Sequence, residues 1–254
     1  MIRLVGLAFL FAAALACSGP ERPNSDARRA MLQASCAAGD LTACYRLGTY
    51  LEYVESSPAA ALPLYLRACD GKVASACTNL GSLYGRGSGV ARDDAKAAAL
   101  YRNACDRGDA TACANLADFL MRGTGVTADP AAGLALYGKA CEAGDKIACR
   151  DLGATYVSGD RVPRDPTLGA RWLQKGCDLG SAQACGDLAN IYDRGSTGVR
   201  DPAMARRLYR RSCDGVPASV QDGPVIVLHW MPRLRSENWR SFEKAPVKTT
   251  GAHS

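Results

Sequence analysis

The sequence predicts an all-α solenoid of helix hairpins, on three observations. Cysteines recur in pairs eight positions apart: Cys36/Cys44, Cys69/Cys77, Cys105/Cys113, Cys141/Cys149 and Cys177/Cys185. From Cys69 onward the first members of the pairs, continued by Cys213, repeat with a period of 36 residues; the step from Cys36 to Cys69 is 33. Between pairs, apolar helical patterns alternate with glycine-containing breakers. A fixed period in this range marks stacked αα units, each burying its apolar face against its neighbours.

The elements of a unit follow in order. After the second cysteine comes a helix with Leu116, Ala117 and Leu120 on its apolar face, echoed by Leu80, Gly81, Tyr84 and by Leu188, Ala189, Tyr192. A breaker loop ends it: Gly87-Ser-Gly89-Val90, Gly123-Thr-Gly125-Val126, and Gly195 to Val199. Asp93, Asp129, Asp165 and Asp201 then stand where a carboxylate accepts the free N–H groups of a first helical turn. Pro130, Pro166 and Pro202 follow three of them and suit that turn. The second helix carries Ala98, Tyr101 and Ala104, matched by Leu134, Tyr137 and Ala140. It ends at the next cysteine, with Gly108, Gly144 or Gly180 three places on as a left-handed cap.

The eight-residue spacing has a geometric reading. On one continuous helix eight residues span about 12 Å, whereas a disulfide needs Cα atoms within roughly 7 Å. With a glycine turn between them, paired cysteines face each other across an antiparallel hairpin, and each bridge staples one hairpin. Zinc is the weaker alternative: ligand pairs usually lie two to four apart, and the only histidines are His229 and His253. No metal and no cofactor is expected.

The N-terminus reads as an export signal over residues 1–16. Arg3 precedes an apolar stretch from Leu4 to Ala16, which is too short to favour a membrane span. Ala14-Leu15-Ala16 fits a signal-peptidase site, and Ala14-Leu15-Ala16-Cys17 resembles a bacterial lipobox, with Ala14 where leucine is usual. Cys17 lies outside the cysteine ladder and is the candidate lipidation site, with residues 17–26 as a polar tether. The expected location is therefore extracytoplasmic, where disulfides persist: a lipoprotein of the outer membrane or periplasm, alternatively a secreted protein. Residues 27–215 form the repeat domain. Residues 216–254 keep no repeat spacing and read as a terminal cap, a disordered tail or a frame-altered end. Cys213, with Gln221 where its partner should stand, is a candidate free thiol. The net charge of +6 is spread along the chain, so no nucleic-acid partner is expected, and the membrane is met through lipid alone.

The pattern Cys-Asp-x-Gly-x-x-x-Ala-Cys-x-x-Leu-Gly/Ala, then Gly-x-Gly-Val, then Asp and a Tyr-bearing helix, resembles the Sel-like (suppressor-enhancer-of-lin-like) repeat. Its cysteine-rich branch, typified by the Helicobacter cysteine-rich proteins, is the more similar. The resemblance covers about residues 27 to 215. Two departures are local: a first unit shortened through Glu52 to Ala60, and Asp160-Arg161 in place of a loop Gly-x-Gly. The resemblance implies a right-handed, tetratricopeptide-related solenoid whose concave face binds proteins or peptides. It also implies an enzymatic alternative, since some members are classed as penicillin-binding proteins or weak β-lactamases. The residues argue against that reading. Ser241-Phe-Glu-Lys244 and Lys248-Thr-Thr-Gly251 only approximate the S-x-x-K and K-T-G elements, lie four residues apart, and have no S-D-N between them.

Comparison between units places a binding surface. Counting from the second cysteine, offsets three, four and seven are repeatedly Leu, Gly/Ala and Tyr/Leu, which marks them as core. Offset two is polar throughout (Arg46, Asn79, Asn115, Asp151, Asp187), offset six varies (Tyr50, Leu83, Phe119, Thr155, Ile191), and offset nine carries Arg86, Arg122 and Arg194. These offsets share one helix face. They are the candidate partner-binding columns, and charge reversal at the three arginines is expected to weaken capture without lowering stability.

Overall fold

The computed structural model describes residues 25–198 and 200–214, and among them it holds eleven helices of 13 residues each and no strand. They are α1 (Ser25–Ala37), α2 (Leu41–Tyr53), α3 (Pro58–Asp70), α4 (Ala74–Arg86), α5 (Asp94–Asp106), α6 (Ala110–Arg122), α7 (Pro130–Glu142), α8 (Lys146–Ser158), α9 (Pro166–Asp178), α10 (Ala182–Arg194) and α11 (Pro202–Asp214). No helix among the described residues is long and apolar enough to cross a membrane.

The boundaries follow from local chemistry. Asp93, Asp129, Asp165 and Asp201 each accept backbone N–H groups of the turn they precede, as at Lys96 (2.9 Å) and Ala132 (3.0 Å). Asp40, Asp109, Asp145 and Ser181 cap α2, α6, α8 and α10 in the same way. Helices α4, α6, α8 and α10 end at Gly87, Gly123, Gly159 and Gly195, all with left-handed backbone. The glycine turns before α6, α8 and α10 hold Gly108, Gly144 and Gly180 at φ of +90°, +94° and +83°. Before α4 that conformation falls on Lys72 (φ +69°).

The most extensive packing joins helices across the long loops: α2 with α3, α4 with α5, α6 with α7, α8 with α9, α10 with α11. Each such pair is one repeat, with a first helix A and a second helix B; α1 is a lone B-type helix at the start.

All five cysteine pairs are bridged at the expected spacing. Cys36–Cys44 joins α1 to α2, Cys69–Cys77 joins α3 to α4, and Cys105–Cys113 joins α5 to α6. Cys141–Cys149 joins α7 to α8, and Cys177–Cys185 joins α9 to α10. Their Cα separations are 4.6–4.7 Å. As expected, each bridge staples the hairpin formed across the short turn between its two cysteines. That hairpin joins helix B of one repeat to helix A of the next, so the bridges hold the junctions between repeats. The reason is the position of the second cysteines: Cys44, Cys77, Cys113, Cys149 and Cys185 all stand in the first turn or two of helix A, beside the short turn that enters it. They are also core. Cys44, Cys77 and Cys149 are 0% exposed and Cys113 and Cys185 1%, and their five partners are buried too, at 0–8%, so the ten sulfurs hold the seams from inside. Five bridges in one folded chain belong to an oxidising, extracytoplasmic compartment.

Side-chain bonds reinforce the same junctions. Ser75 donates to Asp109 at 2.9 Å and Thr111 to Asp145 at 3.1 Å, so a carboxylate that caps one A helix also holds the preceding one. One step farther along, Ser181 replaces that aspartate, and Lys146 donates to the Gly180 carbonyl at 3.3 Å instead. At Asp160-Arg161 the loop keeps its course because Arg161 itself adopts φ +64° and donates to the Met121 carbonyl at 2.7 Å.

Candidate protein-binding face

The face begins with what helix B places under helix A. Offset four is Gly48, Gly81, Ala117, Gly153 and Ala189. A Cβ on Gly48 would meet the Tyr65 ring at 2.7 Å, and one on Gly81 the Tyr101 ring at 2.9 Å. The small residue lets a buried B-helix tyrosine cross beneath helix A. Tyr65, Tyr101, Tyr137 and Tyr209 repeat at 36-residue steps, with Leu173 standing in the fourth place. The first three rings are core: Tyr65 is 0% exposed, and Tyr101 and Tyr137 are 5%; Tyr209, on the last helix, is half-buried. Their hydroxyls emerge among the polar residues of the A helices.

The N-terminal junction is a closed network. Tyr65 donates to Glu52 Oε2 at 2.8 Å, Asn79 Nδ2 donates to the Tyr65 hydroxyl at 3.1 Å, and Arg86 Nη2 donates to Glu52 Oε1 at 2.7 Å. Burial first, then the hydrogen bond to Glu52, holds the Tyr65 phenol far above its usual range. Burial opposes the charge on Arg86, but the bond and charge of Glu52 outweigh it and its pKa is raised.

Farther along, the face is acidic. Arg122 pairs with Asp118 at 2.8 Å on α6. Arg150 pairs with Asp151 at 3.1 Å and reaches Asp187 of the next A helix at 2.7 Å. Burial raises the Asp151 pKa in spite of Arg150, and Asp118 and Asp145 push the same way. Phe119 is half-buried, with the Tyr101 ring set edge-on at 5.3 Å between centroids. Tyr209 donates to Asn190 at 3.1 Å at the last repeat.

Arg46, Arg86, Arg122 and Arg194 are exposed, and Tyr50, Asn79, Asn115, Phe119, Asp151 and Asp187 are half-buried along successive A helices. Three expectations need correction. Leu83 is 0% exposed and Ile191 3%, so offset six is core in repeats 2 and 5 and offers no surface there; offset seven, expected to be core, is only half-buried at Tyr84, Leu120, Tyr156 and Tyr192. Arg86 is not a stability-neutral surface charge, because it neutralises a buried carboxylate. Sequence reasoning also passed over two columns. Offset five reaches the tyrosine hydroxyls at Ser82 and Asn190 and carries the Asp118 charge near Tyr137, and offset eight supplies Glu52. The signal available was spacing: offset five lies three residues from offset two and four from offset nine, and offset eight lies three from offset five.

Cys213 lies exposed in the last turn of α11, outside the five bridges. Cys17, His229, Ser241, Lys244, Lys248, Gly251 and His253 lie outside the described residues.

Tandem A/B helix pairs, stacked through their neighbours and joined at every junction, define an α-solenoid of the repeat-scaffold class. The Sel1 repeat matches the chain five times, over residues 41–72, 74–109, 110–145, 146–181 and 182–215. The chain belongs to the Sel1 repeat family, and its matches begin and end where the A/B pairs do. No curated protein matches the sequence. Among solved structures, a Sel1 repeat protein from Oxalobacter formigenes is similar at 26% identity and a TM-score of 0.65, over 70% of this chain and 74% of that one. The uropathogenic Escherichia coli protective antigen c5321, which displays an SLR fold, is similar at 27% identity and a TM-score of 0.61, over 76% of this chain but only 42% of its own length. Immunity protein Pa5087 from Pseudomonas aeruginosa shares the fold at 20% identity and a TM-score of 0.54, over 85% and 86% of the two chains.

Proposed function

We propose that the chain is an exported scaffold that holds a protein or peptide segment along its row of A helices at the cell envelope, anchored by lipid at Cys17. The observation that carries this reading is the continuity of the face. Offsets two, five and nine present polar side chains, in register, on five successive A helices, with Ala154 the one apolar position, and the bridges hold those helices at fixed spacing. A helices of adjacent repeats touch each other (α4 with α6, α6 with α8, α8 with α10) more than the B helices do. The A layer is therefore the more tightly spaced of the two, which supports its being the concave one. A rigid, bridged array lowers the ordering cost of binding an extended segment. Likeness to a protective antigen supports a second reading, secretion toward a host, which differs at Cys17 alone.

Photo-cross-linking residues at Asn115 and Thr155, on the A face, are expected to capture a partner in the native envelope. The same residue at Arg102 or Lys139, exposed on B helices, should capture none. Equal yield from both faces, or none from either, overturns the assignment. Intact mass of the native chain separates the two locations: an acylated Cys17 supports the anchored form.

A further inference from the structure

We propose that Asp118, Asp151 and the Tyr137 hydroxyl form a subsite for a lysine or arginine side chain of the bound segment, between α6 and α8. This rests on the scaffold reading above and names the chemistry that one place on the face selects.

Repeat equivalence fixes the geometry. Tyr209 bonds to Asn190, offset five of its own repeat, and Tyr65 accepts from Asn79, offset two of the next. Around Tyr137 those two offsets are Asp118 and Asp151. After burial itself, both carboxylates act on its phenol and raise its pKa, and the Arg122 guanidinium opposes them more weakly. Tyr137 is only 5% exposed, yet no hydrogen bond to its hydroxyl is formed among the described residues. No fully buried side-chain oxygen or nitrogen in the described residues lacks a partner, so this hydroxyl opens onto the face. A buried tyrosine whose hydroxyl has no hydrogen-bond partner among the described residues thus stands within electrostatic reach of two carboxylates, one on α6 and one on α8.

The first junction shows what chemistry fills such a place. There Arg86, at offset nine of repeat 2, reaches back to the Glu52–Tyr65 pair and supplies the guanidinium itself. At the junction of repeats 3 and 4 the residue at offset nine is Ser158, too short to do so. The cations nearby are committed elsewhere. Arg122 holds Asp118 Oδ1, and Arg150 divides between Asp151 Oδ1 and Asp187 Oδ2. The second oxygens of Asp118 and Asp151 receive no donor from the described residues. A partner's ammonium or guanidinium brings both the missing charge and the missing donors, and charge-assisted bonds of this type are the strong ones.

The test titrates the full chain, bridges intact, with acetyl-Ala-Ala-Arg-Ala-Ala-amide and with its glutamate counterpart, followed by NMR. The arginine peptide is expected to shift the signals of Asp118, Asp151 and Tyr137, the glutamate peptide to leave them in place, and Asp118→Asn/Asp151→Asn to weaken arginine-peptide binding at least fivefold without loss of thermal stability. Tyr137→Phe, which keeps the ring, should weaken it less. Equal shifts from both peptides, or an affinity unchanged in the double variant, overturns the subsite. Partner capture at Asn115 with no arginine-peptide shift removes the subsite and leaves the scaffold reading standing. A shift with no partner capture does the reverse.

Discussion

Glu52 and Arg86 lie 34 residues apart and form an ion pair 2.7 Å long across the boundary between the first two repeats. The carboxylate side chain is 6% exposed and the guanidinium 53%, so the acid depends on the base far more than the base on the acid. Removing one partner of a fully buried pair costs about 3–5 kcal/mol; with the arginine half in water, Arg86→Ala is expected to cost about 1–2 kcal/mol. Arg86→Glu should cost more, because it sets two carboxylates together. Urea unfolding at neutral pH measures both. A loss near zero for Arg86→Glu would show that Glu52 has another source of compensation.

The disulfides act at the seams, which gives their removal a specific signature. Closing a loop of eight residues is worth about 2–3 kcal/mol on the chain-entropy account. Cys105→Ala/Cys113→Ala is expected to lose about that much and to uncouple repeats 1–2 from repeats 3–5, broadening the unfolding transition. Hydrogen exchange should then distinguish the two halves. Cys36→Ala/Cys44→Ala should instead free α1 alone, whose buried side chains are Leu32 and Cys36. A single sharp transition in both variants would mean that packing alone couples the repeats.

The cysteine ladder, the period and the capping aspartates were legible because each is a local signal repeated along the chain. The pairing of Cys69 with Cys77, or of Cys141 with Cys149, follows from eight residues and a glycine turn. That each bridge joins two repeats is legible as well, because a unit begins after one second cysteine and ends at the first cysteine of the next pair. What the sequence hid depends on contacts made across the repeat. Glu52 reads as a surface charge until Tyr65, thirteen residues on, and Arg86, in the next repeat, close over it. Offsets six and seven lie about 100° apart on the helix, at the two edges of the apolar stripe. Which edge is buried is set by the tilt of helix A over helix B and the neighbouring repeat, and periodicity alone carries no information on that tilt. Arg161 is a third case: an arginine in a glycine's backbone conformation, held by a carbonyl 40 residues away.

Two glycines with similar backbone separate conformational strain from steric clash. Gly108 (φ +90°) has nothing within 4 Å of an added Cβ, whereas at Gly125 (φ +65°) that atom would overlap the backbone of Asp94. Gly108→Ala is expected to cost about 1 kcal/mol, the strain of a left-handed L-residue. Gly125→Ala carries the same strain and must also push its loop off the first turn of α5, so a loss of at least about 2–3 kcal/mol is expected. Thermal unfolding of the pair decides it; equal losses would mean that the loop yields without resistance.

Asp151 makes a pH prediction whose sign opposes the usual one for a salt-bridged acid. Burial raises its folded pKa although Arg150 pulls the other way. A carboxyl with a raised folded pKa contributes most to stability while it is protonated, below its unfolded value near 3.9. That contribution is lost as pH rises through the folded value, so ionised Asp151 weighs against the fold at neutral pH. Asp151→Asn keeps the shape, removes the charge and leaves Arg150 its bond to Asp187. The variant is therefore expected to gain on the wild type as pH rises from about 3.5 to 7, read as the difference in urea midpoints at each pH. A variant that falls behind on the same rise would show that the Arg150 pair outweighs the burial of Asp151. The unneutralised carboxylate that the cation subsite requires would then be lost as well.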